Sequence, residues 1–519
     1  MTQPINHIVI VGGGTAGWLT AATLAKQLKV TSNTNKKVTL VESPNIPILG
    51  VGEGTWPNLR ATLKKIGVAE ADFMRECDAT FKQGALFVNW NVPKNGQTHR
   101  YYHPLNTVNH SSYDFSLAPY WLMNRTSQRY DYAVASQSHV CDANRGPKEM
   151  TTPEYMAVQE YSYHLNAGKF AAFLTKHCVE KLGVNHVLAN VQEVELDAQE
   201  YIVKLHTDSD TAPTIDGDLF VDCSGSNPIL IEKTYRIPWH DISDVIFNDT
   251  AIAIQVPYKS ENVTIPSHTI MTAQDAGWIW DIALTNRRGV GHVFSSKYTT
   301  IESAEQTLRD YLGDDAKGCE ARVIPLKLGY REKFWHKNCV AIGMSGGFVE
   351  PLEASAIFLF DAAANMLADQ MPASREHMLY VENKFNRSFT MRMERTIEFI
   401  KLHYCISDRR DTAYWQDNCD LNSIPVNLQE NLKVWKTRPP TRYDFEQAWE
   451  PFNLDSYLYV LYGLEFDTKI EASHPLIVDE HLAAKKMTAV AELSEKLVKH
   501  LPSHRDLLKK VQLHGFTRI

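Results

Sequence analysis

No Cys-x-x-Cys pair occurs in the 519 residues, and the eight cysteines are scattered with no His/Cys group at zinc spacing. That excludes a zinc module and a disulfide framework. No metal is expected, and the thiols read as reduced, a cytosolic habit. No apolar run reaches the ~18–20 residues of a membrane span. The first such run is no signal peptide either, because it ends in a glycine turn. A cytoplasmic protein is therefore expected. Excess positive charge is missing too: the formal charge of −8 leaves no electrostatic footprint for nucleic acid. Internal repeats and low-complexity segments are absent from the sequence. What remains is ordinary for a globular protein, 44% apolar and 22% charged. The length allows more than one core, since single cores stop growing beyond ~250–300 residues.

The most informative stretch is Ile8-Val9-Ile10-Val11-Gly12-Gly13-Gly14-Thr15-Ala16-Gly17-Trp18-Leu19. Its first four residues read as a buried strand and residues 18–26 have helix-forming composition, so the glycines open a strand-to-helix turn. Gly12 allows the turn, Gly14 lets the backbone approach a pyrophosphate, and Gly17 lets the helix pack close to the sheet. Thr15 and Ala16 complete the helix start, whose free N–H groups face phosphate oxygens. A second strand, Val38-Thr39-Leu40-Val41, ends in Glu42, at about the ~20-residue spacing of a carboxylate that binds ribose hydroxyls. Leu219-Phe220-Val221-Asp222 runs into another small-residue turn, Cys223-Ser224-Gly225-Ser226, and completes the same parallel sheet. The fold class is α/β, built around a dinucleotide.

Other stretches read less directly. Residues 48–57 alternate glycines, Gly50 first among them, and predict a loop that approaches a flat ligand or a plain surface turn. Residues 58–66 read as helix. Strand-like residues 79–90 carry Lys82 among Phe81, Phe87 and Trp90. A lone lysine is usually solvated, but apolar surroundings would depress its pKa and make it a nucleophile or donor. Residues 105–154 predict loops and short helices over a site, 161–181 an amphipathic helix, and 191–205 a β-hairpin or meander. Trp278, Trp280 and Ile282 alternate on one strand face, a pattern more often core than binding box. From Cys339 a buried strand breaks into a turn holding Gly343 and Gly347, then Leu352 and a helix start. The N–H groups of Ser355 and Ala356 there suit an anion, and Glu353 beside them is open between a cap and a functional carboxylate. From about 382 the composition is helical.

Taken together, Gly12 to Trp18, the Thr80 to Trp90 block, Trp278-Ile279-Trp280-Asp281-Ile282, Gly347-Phe348-Val349-Glu350-Pro351-Leu352-Glu353 and residues 397–415 resemble the flavin-dependent tryptophan halogenase family. The resemblance implies an FAD-binding Rossmann-like unit with a largely α-helical substrate cap. It implies FAD, used as FADH2 from a separate flavin reductase, together with O2 and chloride or bromide, and a small aromatic substrate. Hypohalous acid would be held at Lys82 as a hydrogen-bonded acid or a haloamine, so that position decides which carbon reacts. Glu353 would polarise the oxidant or accept the ring proton. Ser355 and Ala356 would bind halide, and Trp278 and Trp280 would wall the flavin from the substrate. A homodimer is left open by the sequence.

Departures from the family pattern bear on substrate and halide. Ala354 and Ala356 replace the usual serine and glycine, and Ala283 replaces the proline of WxWxIP. A Cβ at Ala356 would disturb the halide turn if that turn needs a positive φ. His103-Pro104-Leu105 stands where the family has His-Pro-Phe, and Tyr457 lies in a segment lacking the usual tryptophan. Free tryptophan is therefore no more expected than a simpler indole, another electron-rich aromatic or a peptide-linked side chain. A single-component FAD hydroxylase is the alternative enzyme, but both its aspartates are missing at Cys223-Ser224-Gly225 and Gly343-Met344-Ser345. A catalytically impaired flavin-binding protein is the other alternative. Residues 1–115 and 160–385 are expected to form the cofactor unit, with 116–159 and 386–519 over the substrate.

Overall fold

The first strand of the computed structural model, β1 (His7–Val11), sits inside a six-stranded sheet because both its faces are apolar. The structure describes residues 3–517 apart from 33–34, 47–51, 95, 109–111, 125–127 and 446–448, so Gly50 lies outside the described residues. The chain divides into two compact units, one of residues 1–78, 165–242 and 327–393, the other of 79–164, 243–326 and 394–519.

In the first unit β1 is followed by helix α1 (Thr15–Gln27), strand β2 (Lys37–Glu42) and helix α2 (Asn58–Ile66). β1 pairs in parallel with β2 (Val9 opposite Thr39) and with Leu219–Asp222 (Val11 opposite Asp222), although the latter lies some 200 residues away in sequence. Asn185–Leu188 extends the sheet beyond β2, and Cys339–Ala341 extends it beyond Leu219–Asp222. Val9, Val41, Phe220, Leu230 and Ile231 form the core on one face. α1 packs against the helices Ala167–Leu182 and Ser355–Asp369. Val191–Leu196 and Ile202–Thr207 form the expected antiparallel hairpin, with Thr214–Asp216 as a third strand.

The second unit is organised on a seven-stranded sheet in the order Ala321–Pro325, Thr250–Pro257, Arg287–Phe294, Gly277–Ala283, Thr269–Gln274, Gly84–Val88, Arg100–Pro104. All its pairs are antiparallel except Thr269–Gln274 with Gly84–Val88. Short helices Ala118–Met123, Tyr130–Val134 and Ser136–Asp142 fill the stretch expected to hold loops and short helices. Leu454–Gly463, Glu480–His500 and His504–His514 supply the later helices. No described helix is long and apolar enough to cross a membrane.

Two expectations need correction. Residues 161–181 are not one helix: Ser162–Asn166 is a strand and the helix is Ala167–Leu182. Asn166 accepts a hydrogen bond from Lys169 N and caps that helix, the stop signal that a 3.6-residue pattern overran. The second correction falls at 48–57, where Gly52–Gly54 is a short strand rather than loop.

Candidate functional site

At the end of β1 the glycines have different reasons to be glycine. Gly12 has φ +119°, and a Cβ there would stand 2.1 Å from the Cys223 carbonyl oxygen. A Cβ on Gly17 would stand 1.9 Å from the carbonyl oxygen of Gly12. Gly14, by contrast, has open space where its side chain would be, directly at the start of α1. α1 carries no acidic residue in its first turn and no side-chain cap, so the N–H groups of its first turn, Thr15, Ala16 and Gly17, are left for an anion. Gly343, at φ +88°, closes on this turn: a Cβ there would lie 2.7 Å from Ala16 Cβ. Glu42, at the end of β2, lies against Gly13 and accepts a hydrogen bond from His186 Nε2 at 2.9 Å. A cradle bounded by helix N–H groups and a carboxylate fits a dinucleotide's pyrophosphate and ribose.

In the same unit, Glu353 and Ala354 turn the chain into the helix Ser355–Asp369 with left-handed backbone, φ 67° and 54°. Ala356 is helical, so the positive φ feared there falls instead on the two residues before Ser355. Glu353 is 4% exposed in this turn, and the N-cap of the helix that follows is Ala354. Its carbonyl accepts a hydrogen bond from Trp56 Nε1 at 2.7 Å, and Trp56 stacks on Phe358 at 4.6 Å. Asn58 and Thr62 of α2 donate to the buried carboxylate of Asp361 on the same helix. Burial pushes that carboxyl up to about 6, against the pull of these bonds. Ser355 Oγ is buried and without a hydrogen-bond partner among the described residues, beside the free N–H groups of the helix start. A buried hydroxyl beside the N–H groups of a helix whose first turn carries no acidic residue suits a small anion. Gly347 and Leu352 are buried within this turn. Ala354→Gly should stabilise the fold by roughly 1 kcal/mol, since the left-handed region costs a non-glycine residue about 1–2 kcal/mol. Ala356→Gly, inside a helix, should cost up to about 1 kcal/mol. Urea unfolding of the two variants checks both signs.

In the second unit Lys82 is 2% exposed on the strand Thr80–Lys82, which pairs with Ser162–Asn166 so that Thr80 faces His164. Thr80 Oγ1 donates to Ala283 O at 2.7 Å, and His164 bridges Thr80 Oγ1 and Thr269 Oγ1, at 3.4 and 2.8 Å. Burial first, then the charge of Lys82, holds His164 well below the usual imidazole range, so the ring is neutral. Gln83 N donates to Ser267 O at 2.7 Å, and Gln83 O accepts from Leu105 N at 3.1 Å. Ala85 lies opposite His103 in the sheet, so His103 and Leu105 run alongside the chain leaving Lys82.

His103 and Tyr457 meet on a side chain the sequence reading had not assigned to substrate. Phe399 packs 5.9 Å from His103, 4.9 Å from Tyr457 and 3.7 Å from Phe452. Tyr459 completes the ring 6.1 Å from His103, while Trp435 and Phe445 back Tyr457. Leu105 is half-buried and makes none of these ring contacts. Trp278 is fully buried on the central strand Gly277–Ala283, 6.5 Å from Trp90, and Trp280 lies over Gly291, where a Cβ would meet its ring.

A family model described as tryptophan halogenase matches residues 7–479. The chain belongs to the tryptophan halogenase family. Tryptophan 6-halogenase SttH of Streptomyces toxytricini is 34% identical over 523 residues, 97% of each chain. A solved tryptophan halogenase from Shewanella frigidimarina NCIMB 400 shares 40% identity and a TM-score of 0.95 over 99% of each chain. Tar14, a tryptophan C-6 flavin-dependent halogenase from taromycin biosynthesis, shares 34% identity and a TM-score of 0.90, covering 98% of this chain and 100% of that one. As a member of the tryptophan halogenase family, this chain is a flavin-dependent halogenase, and the hydroxylase alternative is not favoured. The family works with a reduced flavin, halide, O2, an aromatic substrate and a partner flavin reductase. Trp56, Phe399 and Phe452 are the site-side residues that sequence alone missed. Only the Trp-Pro after alternating glycines hinted at the first.

Proposed function

We propose that this halogenase takes FAD, reduced by a separate flavin reductase, and installs chloride or bromide on an indole or related electron-rich aromatic. Gly12, Gly14, Thr15, Ala16, Gly17 and Gly343 would hold the pyrophosphate, and Glu42 the ribose. Reduced FAD and O2, once bound, supply the oxidising power that converts halide to hypohalous acid. The amides of Ser355 and Ala356, with Ser355 Oγ, would seat the halide. Trp278 and Trp280 would screen the substrate from the flavin.

The observation that carries the reading is a lysine 2% exposed, held on a short strand and bordered by a neutral imidazole. As the ammonium, Lys82 donates a hydrogen bond to hypohalous acid. As the amine, it exchanges a proton for halogen and releases water, and the haloamine then returns its halogen to the ring as the amine re-forms. In either form the oxidant reacts from a fixed place. Glu353 would polarise the oxidant or take the proton that the ring loses.

Tyr457 and Leu105, in place of larger aromatic walls, favour a simpler indole over free tryptophan. The test is mass spectrometry of products from the chain supplied with FAD, a flavin reductase, NADH, O2 and chloride or bromide, with indole and tryptophan in parallel. A halogen isotope pattern on indole alone is expected. Halogenated tryptophan would overturn the substrate assignment, and hydroxylated products the reaction.

A further inference from the structure

Among the described residues the strand Thr80–Lys82 has one strand partner, residues 162–164 of the same unit. On its other side the Phe81 N–H finds no carbonyl. It donates instead to Nε2 of His504, at 3.2 Å, a residue 423 positions later on the helix His504–His514. Because Nε2 accepts, the ring proton sits on Nδ1, which donates to Ile265 O at 3.0 Å. The imidazole is fully buried, and burial lowers its pKa to about 4, so it stays in this one neutral form. His504 thus stands between Phe81 and the segment at Ile265, where two residues on Gln83 N bonds directly to Ser267 O.

The histidine is itself held. His504 N donates to Asn144 O, Gly146 N donates to Pro502 O, and Arg145 bridges Ser503. Gln83 Nε2 donates to Arg145 O at 2.8 Å. The chain is therefore pinned on both sides of Lys82 to one bracket made of 144–146, 265–267 and 502–504. The Phe81 ring packs against His504 of this bracket at 6.0 Å, and against Tyr161 at 5.1 Å and Phe516 at 6.4 Å. The helix that carries His504 lies beyond residues 7–479, the span matched by the family model.

We propose that His504 is a positioning residue for Lys82, acting through the Phe81 amide. This rests on the reading of Lys82 as the group that holds the oxidant. A displaced strand moves the amine relative to the ring carbon it serves, and reaction from a fixed place is sensitive to such a shift.

The test compares His504→Gln with His504→Asn in the full chain, each losing one of the two bonds. The glutamine amide oxygen reaches about where Nε2 lies and keeps an acceptor for Phe81. The asparagine amide reaches only the Nδ1 position, keeps the Ile265 partner and leaves the Phe81 N–H without an acceptor. Halogenated product per reduced flavin oxidised is read together with released hypohalous acid and the melting temperature. His504→Gln should stay within about threefold of wild type, whereas His504→Asn should lose on the order of tenfold to a hundredfold with flavin oxidation unchanged. In a Lys82→Ala background His504→Asn should cost nothing further. Equal coupling in both variants, or product falling only in step with flavin oxidation or melting temperature, would overturn the proposal. If Lys82→Ala itself keeps wild-type product, the lysine reading fails and takes the proposal with it. If Lys82→Ala loses product while His504→Asn keeps it, only the positioning role fails.

Discussion

Lys82→Ala is expected to lower halogenated product by roughly a thousandfold or more while flavin still binds and reduced flavin is still oxidised. The size follows from the role: without the amine, oxidant reaches the substrate only by diffusion, and most of it leaves as peroxide or free hypohalous acid. Measuring product beside released oxidant separates this from misfolding, since a damaged fold lowers both. Lys82→Arg then divides the two forms of the mechanism. A guanidinium keeps a strong donor but stays protonated and carries no halogen covalently. Partial activity in Lys82→Arg would favour the hydrogen-bonded acid, and a loss as deep as that of alanine would favour the haloamine. Wild-type yield in Lys82→Ala would refute the lysine's role.

The glycines of the first turn should separate just as sharply. Gly17→Ala places a methyl 1.9 Å from the Gly12 carbonyl oxygen, which neither backbone can yield without opening the contact between α1 and β1. A stability loss of about 1–3 kcal/mol and loss of flavin binding are expected together. Gly14→Ala meets nothing in the protein. Its melting temperature without flavin should match wild type, while its affinity for FAD falls tenfold or more because the methyl occupies the ligand's space. Thermal unfolding and flavin fluorescence titration on both variants report the two effects independently. An unaltered flavin affinity in Gly14→Ala would remove the pyrophosphate from this turn.

What could be read from the sequence was local. β1, the glycine turn and α1 are specified within a few residues, and α2 ends where expected because Gly67 takes the left-handed cap at φ 84°. The parallel neighbour at Leu219–Asp222 was legible because its own turn repeats the small-residue pattern. Local reading failed where a tertiary partner decides. Ser162–Asn166 is a strand because Thr80–Lys82 lies beside it, and nothing in its own residues says so. The left-handed backbone at Glu353 and Ala354 was illegible because neither is glycine. Lys82 stood out in the sequence by its aromatic neighbours and by the resemblance to the halogenase family. Its hold by His504 depends on one side-chain bond across most of the chain. Phe399 was seen as part of a helix, but that it joins His103 to Tyr457 is a matter of packing.

The tie between Trp56 and the Glu353 turn has a consequence for how such enzymes can be shuffled. Residues 56–62 and 353–361 are joined by the indole bond, the Trp56–Phe358 stack and the two donors to Asp361. The two stretches form one heritable block despite the nearly 300 residues between them. A chimaera that takes one stretch from this chain and the other from a relative inherits a mismatched turn beneath the glutamate, whereas a crossover that carries both leaves it whole.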